Sequence, residues 1–134
     1  MPTKTHRNPP ISAGTPTANS LAARVTELVQ ACFSGLWITT AEPTEATREI
    51  TSLCRAEGWR LGTWDCDRGM TFPLEPIQMP GVTDTQDVLA VIRALPQIAN
   101  GSGTTLVVFE SLHRFLGATE IVQALARQIQ AGKN

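Results

Sequence analysis

Thr104-Thr105-Leu106-Val107-Val108-Phe109-Glu110 is the stretch on which the fold turns. Five β-branched or aromatic residues sit around one leucine, a turn-forming Asn100-Gly101-Ser102-Gly103 precedes the run, and an acid closes it. Such a run reads as a strand buried on both faces, because it shows no alternation with polar residues. After Gly117, the segment from Ala118 to Gln130 places Ile121, Val122, Leu125 and Ile129 at helical spacing. A buried strand followed by an amphipathic helix is half of a β-α-β unit, so the rest of the chain is read for its continuation.

Working back toward the N-terminus, the same alternation recurs. Thr83 or Asp84 is expected to cap a helix with Val88, Leu89, Val91, Ile92 and Leu95 apolar. From Met70 to Gly81 the prolines at 73, 76 and 80 break any period, which leaves a loop with room for a short hairpin. Asp67-Arg68-Gly69 is turn chemistry, and Trp59 to Asp65 reads as a strand. Before it, Ala46, Ile50, Leu53 and Cys54 mark a helix that Pro43 and Thr44 open and Gly58 closes. Leu36-Trp37-Ile38-Thr39-Thr40-Ala41 is short and rich in strand formers, so a further buried strand is expected there. The first helix starts at Asn19 or Ser20, carries Leu21, Val25, Leu28, Val29 and Cys32, and ends at Gly35 as its C-cap.

The order is helix, strand, helix, strand, helix, strand, helix. It implies an α/β domain of three layers, with helices on both faces of a mostly parallel sheet of Rossmann-like type. Three strands are few for such a sheet, and no fourth strand follows Gly132. The domain over residues 19–134 therefore reads as incomplete, truncated after the third or fourth strand. A free sheet edge and a partly uncovered helix are the expected consequence. Residues 1–18 hold Pro2, Pro9, Pro10 and Pro16 with almost no large apolar side chain, and read as a disordered tail.

Composition narrows the function. With 42% hydrophobic and 17% charged residues and a net charge of −1, the chain is globular and carries no electrostatic invitation to nucleic acid or an anionic membrane. The two lysines are Lys4 and Lys133, and the arginines are scattered singly. Cys32, Cys54 and Cys66 are odd in number and form no C-x-x-C pair, and His113 is remote from them in sequence, so neither disulfide nor metal site is expected. No apolar run approaches the roughly 20 residues of a membrane helix, and the polar first residues give no secretory leader. A cytoplasmic setting follows.

No P-loop is present. That site needs glycines whose backbone N–H groups wrap phosphate and a lysine that reaches the β and γ phosphates, and no lysine lies between Lys4 and Lys133. Leu106 through Ser111 has the outline of a Walker B strand, apolar residues ending in Glu110, but nothing nearby would hold the nucleotide. Glu42 also ends an expected strand, and two strand-end carboxylates could meet at the C-terminal edge of the sheet, where α/β folds place ligands. The plainer reading makes Glu42 a helix cap and Glu110 a solvated strand end. His113 follows the last strand with no G-x-S-x-G nucleophile to activate, which favours a structural hydrogen-bonding role. Trp37, Trp59 and Trp64 are read as core. Cys66 between Asp65 and Asp67 would have its thiolate disfavoured.

Leu36 through Glu42, Trp64 followed by Gly69, and Leu106 through Leu116 with His113-Arg114-Phe115-Leu116 together resemble the N-terminal region of a AAA ATPase family first known from chloroplast and cyanobacterial reading frames. The resemblance covers about Leu21 to Gln130. It departs at Ser111, where that family has an aspartate, with Glu110 one place earlier. The resemblance implies a degenerate RecA-like domain that organises, docks or regulates, with the catalytic AAA module downstream. It implies a protein partner or that absent module as the contact, no cofactor, and no enzyme activity in these residues. The competing reading is a small-ligand or nucleotide-binding α/β domain that uses Glu42 and Glu110, with His113 beside them.

Overall fold

A computed structural model describes residues 20–75, 84–99, 101 and 103–132. The tail expected over 1–18, Thr83, Asn100, Ser102 and the loop residues 76–81 lie outside the described residues.

The elements follow the sequence in most places. Helix α1, Leu21–Gln30, starts at Ser20, whose hydroxyl accepts from the Ala23 N–H at 3.0 Å. Helix α2, Pro43–Glu57, has proline in its first turn, where the missing N–H costs nothing, and ends on Gly58 at φ 72°. Gly58 leads almost directly into strand β1, Arg60–Asp65, and a tight turn returns the chain as β2, Gly69–Thr71. Helices α3, Val88–Arg93, and α4, Leu95–Ile98, precede strand β3, Thr105–Phe109. A 3-10 turn, Leu112–Phe115, then leads to helix α5, Thr119–Ala131.

Four expectations are corrected. The third helix begins at Val88 and not after Asp84, because the Asp87 carboxylate accepts from the Leu89 and Ala90 N–H groups at 3.1 and 3.4 Å. It breaks at Ala94, since Pro96 has no N–H to give to a continuous helix. Gly35 is not the C-cap of α1. That helix ends at Gln30, and Cys32 takes the left-handed conformation at φ 65°. The sheet is mixed rather than mostly parallel: its order is β2-β1-β3, with β1 parallel to β3 and antiparallel to β2.

The fourth correction matters most. Leu36–Ala41 forms no strand. Strand propensity is realised only against a neighbour that supplies a hydrogen-bond ladder, and β3 pairs with β1 alone among the described residues. The segment is exposed throughout, and Trp37 at 68% is the most exposed large apolar residue of the described chain. The expectation that Trp37 is core therefore fails, while Trp64 at 1% meets it and Trp59 is half-buried.

The core has two sides. Leu61, Leu106 and Val108 face α1 and α2, where Ile50, Leu53, Cys54, Ala22 and Val25 are buried. Trp64, Val107 and Phe109 face α3 and α5, around Val88, Val91, Ile92, Ile98 and Ala124. The alternation along each strand thus sends successive side chains to opposite helical layers. Helix α5 is the thin member, with Ala124 its one buried residue and Val122 exposed at 44%.

Candidate functional site

The site that sequence reasoning points to is the edge where the parallel strands end. Pairing of Trp64 with Phe109 makes Asp65 and Glu110 the next residues on adjacent strands, and the Glu110 N–H donates to the Trp64 carbonyl at 2.9 Å. The carboxylate beside Glu110 in register is therefore that of Asp65, not of Glu42.

Asp65 is already committed. Its Oδ1 accepts from the Arg68 and Asp67 N–H groups at 2.7 and 2.9 Å, and its Oδ2 from Arg68 Nε at 3.1 Å. The Arg68 N–H bond, followed by the Asp67 N–H and the Arg68 guanidinium, holds this carboxyl below its usual range although partial burial opposes the effect. It closes the β1–β2 turn, an Asx-type arrangement that D-C-D-R-G announces in sequence. Gln86 Nε2 donates to the Asp67 carbonyl, and Trp64 Nε1 donates to the Thr85 carbonyl at 2.7 Å, so the segment before α3 is tied to this turn.

Glu110 is half-buried and precedes Ser111, which adopts φ 59°. That left-handed residue reverses the chain into the 3-10 turn, where Leu112 and Phe115 pack into the core and His113 and Arg114 are left exposed. Phe115 meets Trp64 edge-on with ring centroids 5.6 Å apart. Glu42 occupies the N-cap position of α2, yet its side chain makes no capping bond, and its own N–H donates to Thr40 Oγ1 at 3.0 Å. The capping role expected of its side chain is thus not made. Glu45 in the first turn pairs with Arg48 instead. No hydrogen bond or ion pair joins Glu42, Glu110 and His113 among the described residues.

Nor do the described residues bring three His, Cys, Asp or Glu side chains close enough to hold a metal. Cys54 of α2 is wholly buried in the cluster with Leu61 of β1 and Leu106 and Val108 of β3, and burial pushes its thiol up to about 11. The concavity on the opposite layer, about 200 Å³ between α3 and α5, is lined by Arg93, Glu120, Gln123, Ala124, Arg127 and Gln128. It is smaller than the roughly 300–1,000 Å³ of most ligand pockets. No helix among the described residues is long and apolar enough to cross a membrane.

The described residues form a small α/β domain with a three-stranded mixed sheet. A family model described as the SpoVK-like AAA ATPase, N-terminal domain, matches residues 21–134. The chain belongs to this family. The resemblance to a AAA N-terminal region read from Leu36–Glu42 and Leu106–Leu116 is met by this SpoVK-like N-terminal domain. No curated protein and no solved structure matches the chain.

Proposed function

We propose that this SpoVK-like N-terminal domain is a non-catalytic accessory domain of a AAA-type ATPase, acting through contacts with the AAA module or a protein partner. On this reading it is a degenerate relative of RecA-like domains, needs no cofactor of its own, works in the cytoplasm, and engages neither nucleic acid nor membrane. The observation that carries the reading is the start of α2. A helix N-terminus at the strand-end edge is where a nucleotide-binding α/β domain would hold phosphate, with free N–H donors and a positive dipole. Here Pro43 removes one donor, and Glu42 and Glu45 flank it with negative charge. Asp65 and Glu110 add carboxylates to the same edge.

Calorimetric titration of the chain with Mg·ATP tests this. The expected result is no hydrolysis and no saturable binding at submillimolar nucleotide. Micromolar affinity abolished by Glu110→Ala would overturn the reading in favour of a nucleotide or small-ligand site.

A further inference from the structure

The connection between α1 and α2 is anchored to the last turn of α5. Ser34 Oγ donates to the Ile129 carbonyl at 2.6 Å. That carbonyl is among the last four of the helix, which no residue of the helix itself can satisfy. A Cβ at Gly35 would lie 2.9 Å from the Ile129 side chain, and one at Gly132 would lie 2.9 Å from the Ser34 Cβ. Residues 34 and 35 therefore stand hard against the end of α5, at a distance that the two glycines permit.

Phe33, Leu36, Trp37 and Ile38, all within three residues of this anchor, are exposed at 58%, 36%, 68% and 40%. The other exposed large apolar side chain of the described chain is Val122, two turns from Ile129 on the same face of α5. The four side chains beside the anchor leave on the order of 400 Å² open, and exposed apolar surface of that size marks an interaction site. Matched by an equal area on a partner, it gives about 800 Å². That falls short of the roughly 1,200 Å² at which stable interfaces between separate chains begin. It lies within the roughly 600–1,500 Å² found between domains of one chain. The size therefore selects a partner held in the same polypeptide, where a short link supplies an effective concentration in the millimolar range.

We propose that Phe33, Leu36, Trp37 and Ile38 form the docking surface for the AAA module that follows this domain in the same polypeptide. This deepens the accessory-domain reading above and rests on it. An N-terminal domain of a AAA ATPase joins that module through its own C-terminal end. Here that end is the last turn of α5, to which the Ser34 bond and the two glycine contacts fix the apolar stretch. The link thus delivers the module beside the surface, and the anchor holds residues 34 and 35 in place before docking, which lowers the entropy lost on contact. No charged residue occurs from Phe33 to Ala41, so the face it meets on the module is apolar and uncharged.

Hydroxyl-radical footprinting and hydrogen exchange, run on the 134-residue chain and on the full-length ATPase that carries it, read the result. The Trp37 side chain should oxidise about fivefold more slowly in the full-length protein, as its 68% exposure falls to the small remainder left in a packed contact. The amides of 33–38 should gain protection with it. Trp37→Ser should remove that protection in the full-length protein and leave the Tm of the 134-residue chain unchanged, since the side chain is exposed and outside regular structure. Equal oxidation of Trp37 in both proteins overturns the proposal, as does protection indifferent to Trp37→Ser. Protection that arises in the 134-residue chain alone as its concentration rises assigns the surface to contact between copies and overturns it too. If the module protects another surface of the domain and not 33–38, the docking surface is wrong and the accessory-domain reading stands. Tight Mg·ATP binding by the domain removes that reading and leaves the footprint intact.

Discussion

Trp64→Phe isolates the tie between the sheet and the segment before α3. Trp64 is 1% exposed, its indole stands 5.9 Å from Phe109 and 5.6 Å from Phe115, and its Nε1 donates to the Thr85 carbonyl at 2.7 Å. Phenylalanine keeps an aromatic edge for both neighbours but removes the donor. Loss of that bond costs about 1 kcal/mol, because the Thr85 carbonyl is only partly able to turn to water. The smaller ring leaves a void of a few tens of Å³, worth about another 1 kcal/mol at roughly 24 cal/mol per Å³. The sum of about 2 kcal/mol corresponds to a fall in Tm of roughly 8–12 °C for a domain of this size. Trp64→Ala, which also abandons the aromatic pairs, should cost about 4–5 kcal/mol. Urea unfolding at dilute concentration, followed by circular dichroism, gives both numbers. A double-mutant cycle with Phe115→Leu should return a coupling of about 0.5–1.5 kcal/mol. If Trp64→Phe shifts stability by less than about 0.5 kcal/mol, the indole anchors nothing and the two-sided core described above is wrong on the α3–α5 side.

Gly69→Ala and Gly58→Ala should separate steric conflict from backbone strain. Gly69 has φ 76° and a Cβ there would lie 3.0 Å from the Thr85 carbonyl carbon, so its replacement should cost well over 2 kcal/mol in the same assay; Gly58 at φ 72° meets nothing within 4 Å and should cost about 1 kcal/mol. Equal losses at the two positions would refute the packing of the β1–β2 turn against Thr85. Thiol titration with an aromatic disulfide at pH 8 should show Cys32 and Cys66, both exposed, reacting at once and Cys54 reacting only on unfolding. Because burial raises the Cys54 thiol from 9.0 to about 11, its contribution to stability is complete below pH 9 and falls as pH rises through that interval. A Cys54→Ser variant that loses stability with the same alkaline slope would contradict this.

The parts of the fold legible in sequence are those decided by neighbours in the chain. Ser20 as a cap, Pro43 and Gly58 as the bounds of α2, the Ile50-Leu53-Cys54 stripe, and strands at 60–65 and 105–109 all lie within a residue of their expected places. Each depends on local geometry: a side-chain oxygen three residues from an N–H, a left-handed glycine, a helical period. The start of α3 obeys the same logic but is not decided by it, since Asp84 and Asp87 are both credible caps and only the bonds to Leu89 and Ala90 choose between them. Leu36–Ala41 failed for a different reason. Its composition states what it can pair with, and pairing is a property of two segments.

That failure passes straight to the candidate site. Convergence of Glu42 and Glu110 presupposed that the segment before Glu42 lies in the sheet, in register with β3. With the segment outside the sheet, register makes Asp65 the neighbour of Glu110, and Asp65 is already held by the Arg68 and Asp67 N–H groups. At that edge the register sets the closed β1–β2 turn beside the half-buried Glu110. Among the described residues, the unpaired backbone groups lie elsewhere, along the outer edge of β3 and in Leu36–Ala41, and exposed apolar side chains accompany the latter. This distribution of satisfied and unsatisfied groups is what supports the proposed accessory, protein-contacting role over a ligand site at the strand ends.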